Sequence, residues 1–386
     1  MTVTAATGFS AAGVAAGIKD GNRKDVALVV NQGPARTGAV VYTSNRSQAN
    51  PILWSKRAFA ACHTVEAVVL NSGGANCFTG DFGHETSQLT AEKTAAALGL
   101  PVERVQVCST GLIGTGDETF RQGVLHGVDL AAAALSDSGG KEAAEAIITT
   151  DTHAKTTQLT TGGFTIGGMA KGAGMLAPGL ATMLVVITTD AVVESATLQR
   201  ALEAACRVTF NRLDSDGCMS TNDQVTLMAS GASGVEPSED QFTASLTQVC
   251  LDLALQLLSD AEGAKHDIAI EVVGAASISD AEEVGRTVAR NNLFKTAVFG
   301  EDPNWGRVLA AIGTTSAAFD PYQVDLWMNG VRVCHAGAPD APRERVDMSG
   351  RDLAVKIDLK AGSQSATIWT NDLTHDYVHE NSAYSS

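Results

Sequence analysis

Apolar residues along the chain fall into two alternating patterns, short β-rich runs and longer runs at helical spacing. Asp25–Val30 and Val40–Thr43 read as strands. Val65–Leu70 reads as a third, ending in the loop NSGGANCFTGDFG (Asn71–Gly83). Thr86–Leu98 reads as a helix, and Arg104–Cys108 as a strand that runs into STGLIG (Ser109–Gly114). Two helices fit Glu118–Leu135 and Gly140–Ile147.

Farther on, Leu159–Ile166 predicts a hairpin around Gly162 and Gly163. Gly167–Gly179 is too rich in glycine for a helix, and the continuous apolar run Thr182–Thr188 reads as a strand. Leu198, Ala201, Leu202, Ala205 and Cys206 keep the 3.6-residue period of a helix that Ser195 is placed to cap. Leu246, Val249, Cys250, Leu253 and Leu257 mark a second amphipathic helix, followed by a strand at Ile268–Val273 and a helix at Asp280–Asn291. After about residue 320 the pattern turns to hairpins, most clearly Val324–Met328 and Val331–Cys334 around Asn329-Gly330. Val355, Ile357 and Leu359 alternate like a half-buried strand. This order predicts an α/β chain of the α+β layered kind, with sheets sandwiched by helices. No composition shift marks a linker. The division is placed near residue 275, giving a main α/β domain over 1–275 and a smaller C-terminal α/β domain with hairpins over 276–386.

Composition narrows the function classes. A chain of 386 residues, 44% hydrophobic and 18% charged, has ample length for a core and suits a globular protein of two or three domains. A net charge of −16 argues against nucleic acid, because neutralising phosphates needs a basic surface. Aromatics at 5% leave little for base stacking. The seven cysteines are widely spaced without a CxxC, which points to a reducing compartment. Eight histidines form no HExxH or paired ligand spacing, so no metal is expected. No signal peptide and no 18-residue apolar run stand out, so a cytoplasmic location and no membrane are expected.

The familiar catalytic signatures are missing: no GxSxG, no GxxxxGK[ST], no strand-linked GxGxxG. The most unusual stretch is GGMAKGAGMLAPGLATMLVVITTD (Gly167–Asp190), a glycine loop leading through Ala181-Thr182 into a strand. A hydroxyl residue there suits an N→O acyl shift that cuts the chain before Thr182. The freed threonine would then carry a nucleophilic Oγ and its own base. An α-amine titrates near ~8, against ~10.4 for lysine, and so accepts a proton near neutrality. On the residues alone, Thr182 also reads as a plain β-branched strand residue after a glycine loop. CSTGLIGTG (Cys108–Gly116) suits an oxyanion hole made of a hydroxyl and a backbone N–H, or an ordinary turn. Glu262 in Ser259–Ala264 is placed either to hold an ammonium or to end a helix in solvent, and ENSAYSS (Glu380–Ser386) reads as a frayed tail.

Taken together, these stretches resemble the ornithine acetyltransferase (ArgJ) family of arginine biosynthesis over essentially the whole chain. The blocks are GFSAAGVAAGIK (Gly8–Lys19), LNSGGANCFTG (Leu70–Gly80), STGLIG, TTDT (Thr149–Thr152), KGAGMLAPGLATML (Lys171–Leu184), DAEGA (Asp260–Ala264), EDPNWGR (Glu301–Arg307) and YVHENSAYSS (Tyr377–Ser386). The KGxGMxAPxxATML block is highly specific. The resemblance implies an autoprocessed, N-terminal-nucleophile-type (DmpA/ArgJ-like) fold, cleaved between Ala181 and Thr182 into an α-chain of 1–181 and a β-chain of 182–386. It implies Thr182 as the acetyl-carrying nucleophile and Thr110 with Gly111 as the oxyanion hole. Thr149, Lys171, Thr182, Glu262, Asn381 and Ser386 become substrate contacts, with Thr149 chosen over Thr150 by spacing. Many relatives read NSGNAN where this chain has Gly74, and end in threonine where it has Ser386.

The reaction implied by the resemblance is a ping-pong acetyl transfer from N-acetylornithine to glutamate, releasing ornithine. Electrostatics pairs Glu262 with a substrate ammonium and Lys171 with a carboxylate. The acyl-enzyme carries the group, so no cofactor is expected, while acetyl-CoA stays open as an alternative donor. The family also implies an (αβ)₂ or larger assembly. Two other readings stand beside this one: an N-terminal-threonine amidohydrolase or aminopeptidase, and an unprocessed scaffold.

Overall fold

A computed structural model describes residues 2–177 and 183–383. Its elements up to the TTDT block are β1 (Phe9–Val14), β2 (Val26–Asn31), β3 (Thr37–Tyr42), α1 (Asn50–Cys62), β4 (Ala67–Ser72), α2 (Gly80–Leu98), β5 (Val105–Thr110), α3 (Glu118–Ala133) and α4 (Gly140–Ala146). The middle contributes β6 (Lys155–Thr161), β7 (Phe164–Lys171), β8 (Leu184–Thr189), α5 (Ser195–Val208), β9 (Gln224–Ala229) and α6 (Glu239–Ser259). The C-terminal part adds β10 (Asp267–Ala275), α7 (Ile278–Ala289), α8 (Asn292–Phe299), α9 (Trp305–Ile312), β11 (Asp325–Met328), β12 (Val331–His335), β13 (Ala338–Pro339), β14 (Asp352–Asp358), β15 (Gln364–Asn371) and α10 (His375–Ala383).

Two sheets stack face to face. One has the order β1-β2-β4-β5, the other β3-β9-β8-β7-β6. Strand side chains alternate between faces. Ala27 and Val29 of β2 therefore meet Leu184 and Val186 of β8 between the sheets. Val26, Leu28 and Val30 point the other way, into a layer with Trp54 of α1, Ala91 of α2 and Val128 of α3. Val185 and Ile187 of β8 face Leu198 and Leu202 of α5 and Leu246, Val249 and Leu253 of α6. The result is helix–sheet–sheet–helix, the layering expected. Burial on both faces is why β2 and β8 read as unbroken apolar runs rather than as alternation. Helix α6 has the length and mean hydropathy (1.2) of a membrane span, but its apolar face is filled by this core.

A third sheet, β13-β12-β11-β14-β10-β15, is covered by α7–α9 and has its own core around Ile268, Ile270, Phe294, Val355 and Ile368. Residue 275 is the last of β10, a strand that already belongs to this sheet. The sheet is tied to the first unit where Asp214 N–H donates to the Trp369 carbonyl and Ser215 Oγ donates to Asn371 Oδ1 at 2.6 Å.

Several local expectations change. Ser195 does not cap α5: it is the first helical residue, and its hydroxyl donates to the His63 carbonyl at 3.2 Å. The hairpin strands β6 and β7 run to Lys155 and Lys171, so Gly167–Lys171 is strand rather than loop. Glycine is needed inside that strand because a Cβ at Gly167 would sit 2.2 Å from the Thr2 carbonyl. Strand β1 and helix α1 carry no signal in the periodicity. FSAAGV is built of small residues, and a Cβ at its Gly13 would strike the Glu142 carbonyl in α4, 1.8 Å away. The tail is helical up to Ala383 rather than frayed.

Candidate active site

The strand ends build the site. Parallel β4 and β5 both finish at one edge of their sheet, where Ser72 pairs with Thr110. In the facing sheet β7 ends at Lys171, paired with Leu184 at the start of β8. The twelve-residue connection between β7 and β8 holds the Ala181–Thr182 junction. Ala181 and Thr182 lie outside the described residues, as does Ser386; Met183 is the first residue described after the junction.

Between these edges lies a cavity of about 640 Å³. Thr110, Gly111, Thr149, Thr150, Lys171, Glu262 and Asn381 all face it. Six of these positions were expected at the site from blocks far apart in sequence. Gly111 adopts φ +132°, open to glycine but strained for other residues. A Cβ there would also lie 2.5 Å from the Gly74 nitrogen. That nitrogen and its Gly73 neighbour both donate to the Thr110 carbonyl, at 3.0 and 2.9 Å. The Gly111 N–H, in contrast, has no hydrogen-bond acceptor among the described residues.

Lys171 is almost fully buried, and its ammonium donates to Thr149 Oγ1 at 2.7 Å and to Thr110 Oγ1 at 3.3 Å. Because Thr110 Oγ1 accepts from Lys171, its own proton is free to point into the cavity. Of the two lining threonines, Thr149 makes the side-chain contact with Lys171. Burial pushes the Lys171 ammonium below its usual range, opposed by the charge of Asp151 at 3.7 Å.

Asp151, inside the TTDT block, is the hub of the buried polar groups. Its carboxylate accepts from the Thr149 and Gly172 N–H groups at 2.9 and 2.6 Å, and from Lys155 Nζ at 2.6 Å. Burial works to raise its pKa, but Lys171 and Lys155 outweigh this and hold it well below the carboxylate range. Fully buried Lys155 also reaches Asp260 at 2.5 Å, and Asp260 in turn accepts from the Thr152 amide at 3.0 Å. The TTDT block, the end of α6 and the start of the glycine loop are thus fastened together beneath Lys171. Asp151 and Asp260 stand inside the TTDT and DAEGA blocks, where they could have been found; nothing in the sequence singles out Lys155.

Glu262 and Asn381 form the outer wall, with Asn381 Nδ2 donating to Glu262 Oε2 at 3.0 Å. This contact brings α10 back over the cavity. Lys19 and Arg23 also line the cavity. Lys19 Nζ donates to the Ile148 carbonyl at 3.1 Å, and burial, helped by the Arg23 charge, lowers its pKa to about 8. Lys19 ends the GFSAAGVAAGIK block, a position to which the sequence attaches no role.

On the Met183 side, Asp223 is fully buried. Its Oδ1 accepts from the Met183 N–H at 3.0 Å, while its Oδ2 has no hydrogen-bond partner among the described residues. Burial raises its pKa well above the usual value, against the Met183 hydrogen bond, the Lys171 charge and the nearby Ser220 and Thr43 hydroxyls. The Thr43 hydroxyl donates instead to the Ser220 carbonyl at 2.8 Å. The arrangement as a whole offers the Thr110 hydroxyl and the Gly111 N–H on adjacent residues lining one cavity, with the Lys171 ammonium on the Thr110 hydroxyl and Glu262 also in the lining. It is suited to acyl transfer.

The ArgJ family model matches residues 10–386. Arginine biosynthesis bifunctional protein ArgJ of Streptomyces coelicolor is 59% identical over 386 residues, covering all of both chains. The ArgJ protein of Thermobifida fusca is 58% identical over the same span. That of Mycobacterium leprae is 50% identical over 392 residues, covering all of this chain and 96% of its own. A solved structure of ornithine acetyltransferase complexed with ornithine, from Mycobacterium tuberculosis, is 44% identical with TM-score 0.44, covering 47% of this chain and 96% of that one.

Proposed function

The chain belongs to the ArgJ family, and we propose that it works in arginine biosynthesis as a glutamate N-acetyltransferase, moving acetyl from N-acetylornithine to glutamate through a Thr182 acyl-enzyme. The observation that carries this reading is the single cavity where Thr110, Gly111, Thr149, Lys171, Glu262 and Asn381 meet, Lys171 being paired with Leu184 just after the junction.

The chain first cuts itself between Ala181 and Thr182. Thr182 Oγ then attacks the acetyl carbonyl of N-acetylornithine, its α-amine taking the hydroxyl proton. Thr110 Oγ–H and Gly111 N–H hold the oxyanion. The proton passes to the departing amine, ornithine leaves, and the glutamate amine collects the acetyl group. Glu262 faces the ornithine ammonium. Lys171 is compensated by Asp151, so Lys19 and Arg23 at the open side join it in receiving carboxylates. Ser386 is proposed as a further substrate contact on the family resemblance alone. The acyl-enzyme carries the group without a cofactor, and acetyl-CoA as a second donor is a separate assay of the same threonine. The unpaired state of all seven cysteines suits a cytoplasmic location, and an (αβ)₂ or larger assembly is proposed.

Denaturing mass spectrometry of the wild type and Thr182→Ala tests this. The wild type is expected as fragments 1–181 and 182–386, with one acetyl group appearing on the second after N-acetylornithine is added. Thr182→Ala is expected whole. A wild type that stays whole defeats the N-terminal-threonine mechanism. Acetate release without glutamate moves the assignment to an amidohydrolase.

A further inference from the structure

The mature mechanism has a base in the α-amine of Thr182, but the proposed self-cleavage does not. Before the cut, that nitrogen is an amide, whose lone pair is delocalised into the carbonyl, and it cannot accept the hydroxyl proton. Another group must take it.

Among the described residues, Asp223 is in position. Strand β8 pairs in parallel with β9, Leu184 against Gln224, which sets Asp223 beside Met183. One carboxyl oxygen is fixed by the Met183 N–H at 3.0 Å, and the other has no hydrogen-bond partner among the described residues. The Asp223 carboxyl is thus anchored on the residue that directly follows Thr182 in the chain. Leaving a buried carboxyl oxygen without a partner is costly. Lys171, at the end of β7, is committed to Thr149, Thr110 and Asp151. The neighbour Asn222 is committed as well, donating to the Ala75 and Ser109 carbonyls at 2.7 and 2.9 Å, which ties the Asp223 turn to the Thr110 loop.

We propose that Asp223 is the proton carrier of self-cleavage, a catalytic residue for the step that creates the N-terminal threonine. The inference rests on the self-cleavage reading. Asp223 Oδ2 accepts the Thr182 hydroxyl proton as Oγ bonds to the Ala181 carbonyl carbon. The same proton is returned to the Thr182 nitrogen as the C–N bond breaks. Water then hydrolyses the ester, leaving the Ala181 carboxylate, the Thr182 hydroxyl and a free α-amine, with Asp223 unchanged. Burial, which raises the Asp223 pKa, brings the carboxyl toward the range where it exchanges protons near neutrality.

The test follows cleavage of the full chain after cell-free synthesis, by denaturing mass spectrometry. Wild type, Thr182→Ala and Asp223→Asn are compared, with circular dichroism to confirm folding. Asp223→Asn keeps an acceptor for the Met183 N–H and loses the titratable oxygen. A general acid–base is worth about 10²–10⁴ in rate, so at least a hundredfold slower cleavage is expected in a folded chain. Cleavage within about threefold of the wild-type rate, far short of that factor, overturns the proposal. Should Asp223→Asn fail to fold, Asp223→Glu and Asp223→Gln decide: they match in size and differ in the titratable oxygen. Cleavage by the glutamate variant alone supports the proposal, and equal behaviour overturns it. A wild type that never cleaves removes the underlying reading as well, and is distinguished by its own lane.

Discussion

At the level of single residues, the site depends on a few polar atoms whose roles are fixed by what they already touch. Thr110 Oγ1 accepts a hydrogen bond from Lys171, which leaves its own O–H free to donate. Thr110→Ala is expected to lower kcat about 10²–10³-fold with little change in self-association or folding, as measured by steady-state acetyl transfer. Lys155 is surrounded by Asp151 and Asp260 with no solvent. Breaking a buried pair from one side leaves an uncompensated charge, so Lys155→Met is expected to cost about 3–5 kcal/mol in denaturant unfolding, read in the uncleaved Thr182→Ala background. Lys19 titrates near 8, lowered mainly by burial. Its charge is present below that pH and lost as pH rises through it. The KM for glutamate is therefore expected to climb as pH rises through about 8, and Lys19→Gln should start high and show a flat profile. Thr110, Gly111, Thr149, Lys171, Glu262 and Asn381 were all legible once the blocks were seen together. Lys155 and Asp223 were not, because a lone lysine in a threonine-rich strand and an aspartate before another strand look like solvent-facing residues until the layers around them are known.

At the level of elements, the strong signals were those in which one residue type serves one geometric need. Asn329-Gly330 adopts φ 44° and 78°, the left-handed pair that a two-residue hairpin turn requires. The period of Leu198 to Cys206 became the buried stripe of α5. Helix α10 shows the opposite case. It buries no residue, so it left no hydrophobic pattern to read, yet it delivers Asn381 to Glu262. Deleting residues 375–386 should therefore leave thermal stability nearly unchanged. A hydrogen bond to a charged group is worth about 1.5–3 kcal/mol, so the same deletion is expected to raise KM for N-acetylornithine about ten- to a hundredfold. A large fall in melting temperature would instead assign α10 to the core.

At the level of the whole molecule, the junction sits in a connection between two paired strands. Strand β8, which follows the junction, is flanked by β7, which precedes it, and β9 is flanked by β3 in the same way. Cleavage at the junction therefore cuts a loop and leaves every ladder of the five-stranded sheet intact. The two fragments are expected to travel as one species in native size exclusion and to separate only in denaturant; separate native peaks would contradict this interdigitation. The sequence by itself determined the layered α/β class, the glycine-rich junction and the family blocks, because periodicity and local motifs are set by neighbours a few residues apart. It did not determine how residues from these distant blocks are held around one cavity, that Lys155 sits between two carboxylates, or that Asp223 accepts from Met183. Those depend on strand register and on which sheet edges meet. They are long-range pairings that no local pattern encodes, and the tertiary structure alone decided them.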